Sequence, residues 1–79
     1  MEKFEFSKET ELLFEELSKV GPENLEVCKE TCRGNYRDCV NAGKDRDVCA
    51  STLQGCLDEC YKNNLEALAI IKKIVASLT

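Results

Sequence analysis

Residues 28–60 read CKETCRGNYRDCVNAGKDRDVCASTLQGCLDEC, and they hold all six cysteines of the 79-residue chain. The spacing is C-x3-C-x6-C-x9-C-x6-C-x3-C, a palindrome. The outer pair (Cys28, Cys60), the middle pair (Cys32, Cys56) and the inner pair (Cys39, Cys49) each sum to 88 in residue number, as partners at equal heights on two antiparallel helices would. Within each arm the steps are four and seven residues, which return a side chain to the same helical face. In a strand the seven-residue step would change face. Of the many connectivities that six cysteines allow, this geometry prefers one: Cys28–Cys60, Cys32–Cys56 and Cys39–Cys49.

Between the arms lies Asn41-Ala42-Gly43-Lys44-Asp45-Arg46-Asp47. Gly43 suits the left-handed residue that ends one helix, and Asp45 suits the N-cap that starts the next. So short a connection forces antiparallel neighbours. Closing the inner loop is worth roughly 3 kcal/mol in the chain-entropy model, and three bridges together make the reduced chain a poor folder.

Outside the bridged stretch the pattern stays helical. Residues 1–6 alternate charge and aromatic character and read as a flexible arm. Ser7 is the expected N-cap of a helix over 8–20, with Phe6 beside it as a hydrophobic staple and Leu13, Phe14, Leu17 and Val20 on its apolar side. Gly21-Pro22 ends that helix, and Pro22 is the expected first residue of a second over 22–41, in which Gly34 lowers local helix stability by about 1 kcal/mol and suits a close backbone approach. A third helix is expected over 46–62. Residues 65–78 are helical again, as a fourth helix or as a continuation across Asn63-Asn64, with Leu65, Leu68, Ile71, Val75 and Leu78 on one stripe and Ile70 and Ile74 widening it. The same sum of 88 sets Leu17 against Ile71 and Leu13 against Val75. The expected fold is therefore all-α: one domain, residues 1–79, a disulfide-stapled antiparallel helical hairpin within a small three- or four-helix bundle. A dimer covering the apolar stripes is the alternative.

Composition narrows the function classes. A single core is marginal at this size, so covalent staples are expected. There is no histidine, which removes the usual neutral-pH general base, and no organised nucleophile stands in its place; an enzyme is not expected. Regularly spaced helical cysteines also fit a structural zinc site or a redox dithiol poorly, so no metal and no cofactor is expected. With 15 acidic and 11 basic residues the net charge is -4, and nucleic acid is not an expected partner. No apolar run is long enough for an integral membrane segment. Even, dense cysteines point to an oxidising compartment.

The pairs Cys28-x3-Cys32 and Cys56-x3-Cys60 resemble the twin Cys-x3-Cys helical hairpins. One group with that arrangement is the small chaperones of the mitochondrial intermembrane space, which carry hydrophobic precursors; another is the secreted helical-hairpin peptides of plants and venoms, which inhibit proteases or block channels. The likeness covers residues 28–60, and this chain differs in placing 23 residues between the pairs and adding Cys39 and Cys49.

The leading expectation is a small secreted, extracellular, cysteine-rich protein that binds a protein receptor or target, as a pheromone, toxin-like effector or secreted ligand. Two surfaces are candidates. One is basic, from Arg33 and Arg37 at a four-residue step and Lys44 and Arg46 in the turn. The other is the apolar stripe Leu68, Ile71 and Val75, which reads first as a core face and second as a partner surface. The alternatives are an intermembrane-space chaperone or assembly factor, using Phe4, Phe6, Phe14 and that stripe as client surface, and an inhibitor of trypsin-like proteases presenting Lys44 or Arg46.

Overall fold

A computed structural model describes residues 4–21 and 25–78. Four helices follow in order: α1 (Lys8–Ser18), α2 (Leu25–Asn41), α3 (Arg46–Cys60) and α4 (Leu65–Leu78). Pro22, the expected first residue of the second helix, lies outside the described residues. The packing order is α2 on α3, α3 on α4 and α4 on α1, giving a bundle of 36 × 22 × 21 Å. The three bridges are Cys28–Cys60, Cys32–Cys56 and Cys39–Cys49, all between α2 and α3.

The ends of the helices show why the chain turns where it does. At the tip, the Lys44 N–H donates to the Cys39 carbonyl and the Gly43 N–H to the Val40 carbonyl, the paired bonds of a Schellman stop. That stop needs a left-handed residue, and Gly43 supplies it at φ 83°. Asp45 then caps α3 by accepting from the Asp47 N–H at 2.8 Å, so Lys44 alone separates the two devices. Ser7 caps α1 through its hydroxyl, which accepts from the Thr10 N–H.

α1 stops at Ser18 rather than 20, because the Lys19 and Val20 N–H groups close short bonds to Glu16 and Leu17 carbonyls. α3 stops at Cys60 rather than 62, and α4 is a separate helix. Tyr61 leaves helical geometry and buries its ring at 3% exposure. Asn64 then does two things: its carbonyl oxygen caps α4 by accepting from the Ala67 N–H at 3.0 Å, while its amide donates to the Val20 carbonyl at 2.7 Å. The two corners of the bundle are joined by that one side chain. Gly21 completes the corner, since a Cβ there would stand 3.0 Å from the Tyr61 ring.

Leu17, Leu53, Leu57, Ile71 and Ile74 are fully buried and make the centre of the core, with Phe14 and Tyr36 beside them. Each such aliphatic side chain contributes about 1.5–3 kcal/mol by leaving water. Leu65, expected on the inner stripe, is 84% exposed; the buried face of α4 is Ala67, Ile70, Ile71 and Ile74, so the two isoleucines expected to widen the stripe lie at its centre. The face is displaced because α4 packs on α3 as well as on α1.

Residues 4–6 do not form the loose arm expected of them. Phe4 and Phe6 lie against the core, and the Phe4 N–H donates to Asn41 Oδ1 at 2.8 Å. The close backbone approach expected at Gly34 is also absent: only the Arg37 guanidinium comes near a Cβ built there, at 3.9 Å.

Candidate protein-binding surface

Of the expected basic residues, Arg33 is the most committed. It ion-pairs with Glu11 of α1 and lies 3.6 Å from Glu30, and its guanidinium sits over the Phe6 and Phe14 rings at 5.2 and 5.6 Å. Such stacking favours a guanidinium because it is planar and weakly hydrated. Arg33 is therefore a tie between α1, α2 and the N-terminal segment. Arg37, one turn on, is exposed and has its Nε 3.5 Å from Asp38, a pair that water screens heavily.

Lys44 and Arg46 are exposed at the tip, and among the described residues neither takes part in an ion pair. Arg46 lies over the Phe4 ring at 5.3 Å. The Cys39–Cys49 bridge locks this tip from below. Beside it an open cleft runs along α2, walled by Phe4, Phe6, Arg33, Arg37, Asn41 and four carboxylates, Asp38 among them. The cleft and the tip share Phe4 and form one continuous surface.

Under that surface the aromatic rings interlock. Phe4 meets Phe6 and Tyr36 edge-on at 5.0 and 5.4 Å between centroids, and Phe6 meets Phe14 at 5.4 Å. The Tyr36 hydroxyl is buried there without a hydrogen-bond partner among the described residues. Burial pushes its acidity constant above the ordinary 10.0, with the nearby Arg46 charge pulling weakly the other way. Pattern reading placed Phe4 and Phe6 on a binding surface only in the chaperone alternative, apart from the basic residues, and missed Asn41; the staple position of Phe6 was a further signal.

The apolar candidates divide differently. Ile71 has no exposed surface and is core; Leu68 and Val75 are half-buried against that core. The stripe is thus covered within the chain.

A second polar seam joins α1 to α2. The ammonium of Lys29, 5% exposed, donates to the Ser18 hydroxyl and to Glu26 at 3.1 Å, with Glu30 at 3.6 Å. The Lys29 hydrogen bond, then that of Ser18, holds the Glu26 carboxyl below its ordinary range. Nothing in the periodicity marks Lys29 as an inward residue. Deeper in the hairpin the sulfurs of Cys28, Cys32 and Cys60 lie within 4.8 Å of one another, each already consumed in a disulfide.

No helix of the described residues is long and apolar enough to cross a membrane. No protein family, curated protein or solved structure matches the chain.

Proposed function

We propose that the chain is a secreted binding protein, acting as a ligand or effector of a protein target, and that it binds through the α2–α3 tip and the adjoining cleft on α2. The observation that carries this reading is the bridge-locked tip with Lys44 and Arg46 exposed and, among the described residues, outside any ion pair, beside a cleft that Phe4 and Phe6 help to wall. A rigid surface loses little entropy on association, and exposed cations steer and orient an acidic partner. Binding rather than catalysis is the proposed task.

The chaperone alternative is less well supported, because its client surface is largely spent: Phe14 is 2% and Ile71 0% exposed. For protease inhibition Arg46 is unsuitable, since it stands in the first turn of α3 and a protease pocket takes extended backbone; only Lys44 remains. The test is a binding screen of the oxidised, labelled protein against an array of extracellular protein domains, repeated with the Lys44→Ala/Arg46→Ala variant. A partner whose affinity falls at least about tenfold in the variant and weakens as salt rises supports the reading. A partner bound equally well by the variant sinks it, and trypsin inhibition lost with Lys44 would install the inhibitor reading instead.

A further inference from the structure

The two outer bridges are arranged side by side. Cys32 Sγ lies 3.7 Å from Cys60 Sγ, although each is bonded to a different partner. A thiolate formed at either sulfur is therefore already in van der Waals contact with the sulfur it would attack. Exposure is unequal as well: Cys32 is 1% exposed, while Cys28, Cys56 and Cys60 are half-buried. An external reagent reaches the outer sulfurs and not Cys32.

From this geometry we infer a further activity: thiol–disulfide exchange with an external dithiol, in which the two outer bridges are replaced by one diagonal bridge, Cys32–Cys60. Thiolate attack on a disulfide sulfur passes through a mixed disulfide and expels the other sulfur as thiolate. A dithiol thiolate attacks Cys28 Sγ, breaking Cys28–Cys60 and releasing the Cys60 thiolate. Cys60 attacks Cys32 Sγ, forming Cys32–Cys60 and releasing Cys56, which takes a proton from water. The second thiol of the dithiol then attacks the mixed disulfide, freeing Cys28 as a thiol and leaving the reagent as its own disulfide. Two electrons pass from dithiol to protein, and one protein disulfide is lost.

Attack at Cys56 converges on the same product. It releases Cys32, which attacks Cys60 and expels Cys28. The diagonal encloses a loop intermediate between the native separations of 32 and 24 residues, so loop-closure entropy scarcely distinguishes it from either native bridge taken singly. Burial of Cys32 shields one side of the new bridge from further attack. The product keeps α2 and α3 stapled by Cys32–Cys60 and Cys39–Cys49 and carries one new thiol on each helix, Cys28 and Cys56.

The experiment treats the oxidised full-length protein, in native buffer, with limiting dithiothreitol. Samples are quenched in acid, alkylated, and digested with trypsin and Asp-N without reduction. Cleavage after Lys29 and before Asp58 places Cys28, Cys32 and Cys60 on separate peptides. The expected first product links the Cys32 and Cys60 peptides and carries label on Cys28 and Cys56. Products with native pairs only, a Cys28–Cys32 bridge, or full reduction without the diagonal would each overturn the inference. Independently, the Cys28→Ser/Cys56→Ser variant is expected to form Cys32–Cys60 in a glutathione buffer; a folded variant that keeps both thiols free overturns it.

Discussion

The α2–α3 half of the bundle and the α1–α4 half solve the same packing problem with different chemistry. α2 and α3 carry three cross-links, short helix stops at the tip and comparatively little aliphatic surface. α1 and α4 have no covalent tie and rely on Leu17, Ala67, Ile71 and Ile74, all without exposed surface. Cross-links act chiefly on the unfolded chain, whereas apolar burial acts on the folded one. One half should then fail by reduction and the other by loss of volume, although they share the Leu53 and Leu57 core of α3.

The largest effect should come from Ile71→Ala, which removes buried volume where no bridge compensates. A loss of about 2–5 kcal/mol is expected in denaturant melts of the oxidised protein. Amide exchange should quicken in α1 and α4 before α2 and α3; equal quickening in all four helices would abolish the contrast. Next is Cys39→Ala/Cys49→Ala, with about 3 kcal/mol lost on the same melts and faster exchange concentrated at the tip. Should that variant loosen α1 instead, the two halves are not separable.

Asn64→Ala sharpens the comparison at its boundary. It removes the α4 cap and the bond to Val20, and about 0.5–2 kcal/mol is expected from calorimetry. Tyr36→Phe should be smallest and opposite in sign, a gain of about 1 kcal/mol, because it deletes a buried hydroxyl that has no partner among the described residues. Burial also holds the Tyr36 and Tyr61 phenols above 10.0. The folded state thus favours the protonated phenols: that stability is fully present below pH 10.0 and lost as pH rises through the folded values. Melts across alkaline pH should show a shallower decline in Tyr36→Phe, and an unchanged slope would assign the effect elsewhere.

The bridged half was legible from residue numbers alone, because the native partners lie at equal heights and the palindrome records those heights directly. Gly43, Asp45 and Ser7 were legible because each end device requires a specific residue type. α4 was legible as a helix and in part in its facing: Ile70, Ile71 and Ile74 read as its apolar side, but with α1 and α3 both beside it the buried arc centres on them rather than on Leu65 and Leu68. Lys29 and Arg33 were hidden for a different reason. Their inward placement depends on Ser18, Glu11 and the Phe6 and Phe14 rings, all brought from other segments, and no periodicity encodes such partners. Phe4 and Phe6 belong to a segment too short for a period to be read.

At the tip end of the bundle, where Phe4 reaches Asn41 and Arg46, the Ser77 hydroxyl donates to the Ile74 carbonyl at 2.6 Å, which commits its only proton. Its 2.7 Å contact with Thr10 Oγ1 must then be donated by Thr10, and the 3.0 Å contact between Thr10 and Ser7 by Ser7. This directed chain of hydroxyls pins the first residues of α1 to the last turn of α4. Topologically the bundle is nearly a closed ring of helices, opened only beside Ser7 and Ser77. A circular permutant that joins those ends through a short flexible linker and reopens the backbone at Lys44 should keep its register, since the Cys39–Cys49 bridge would hold the new ends together.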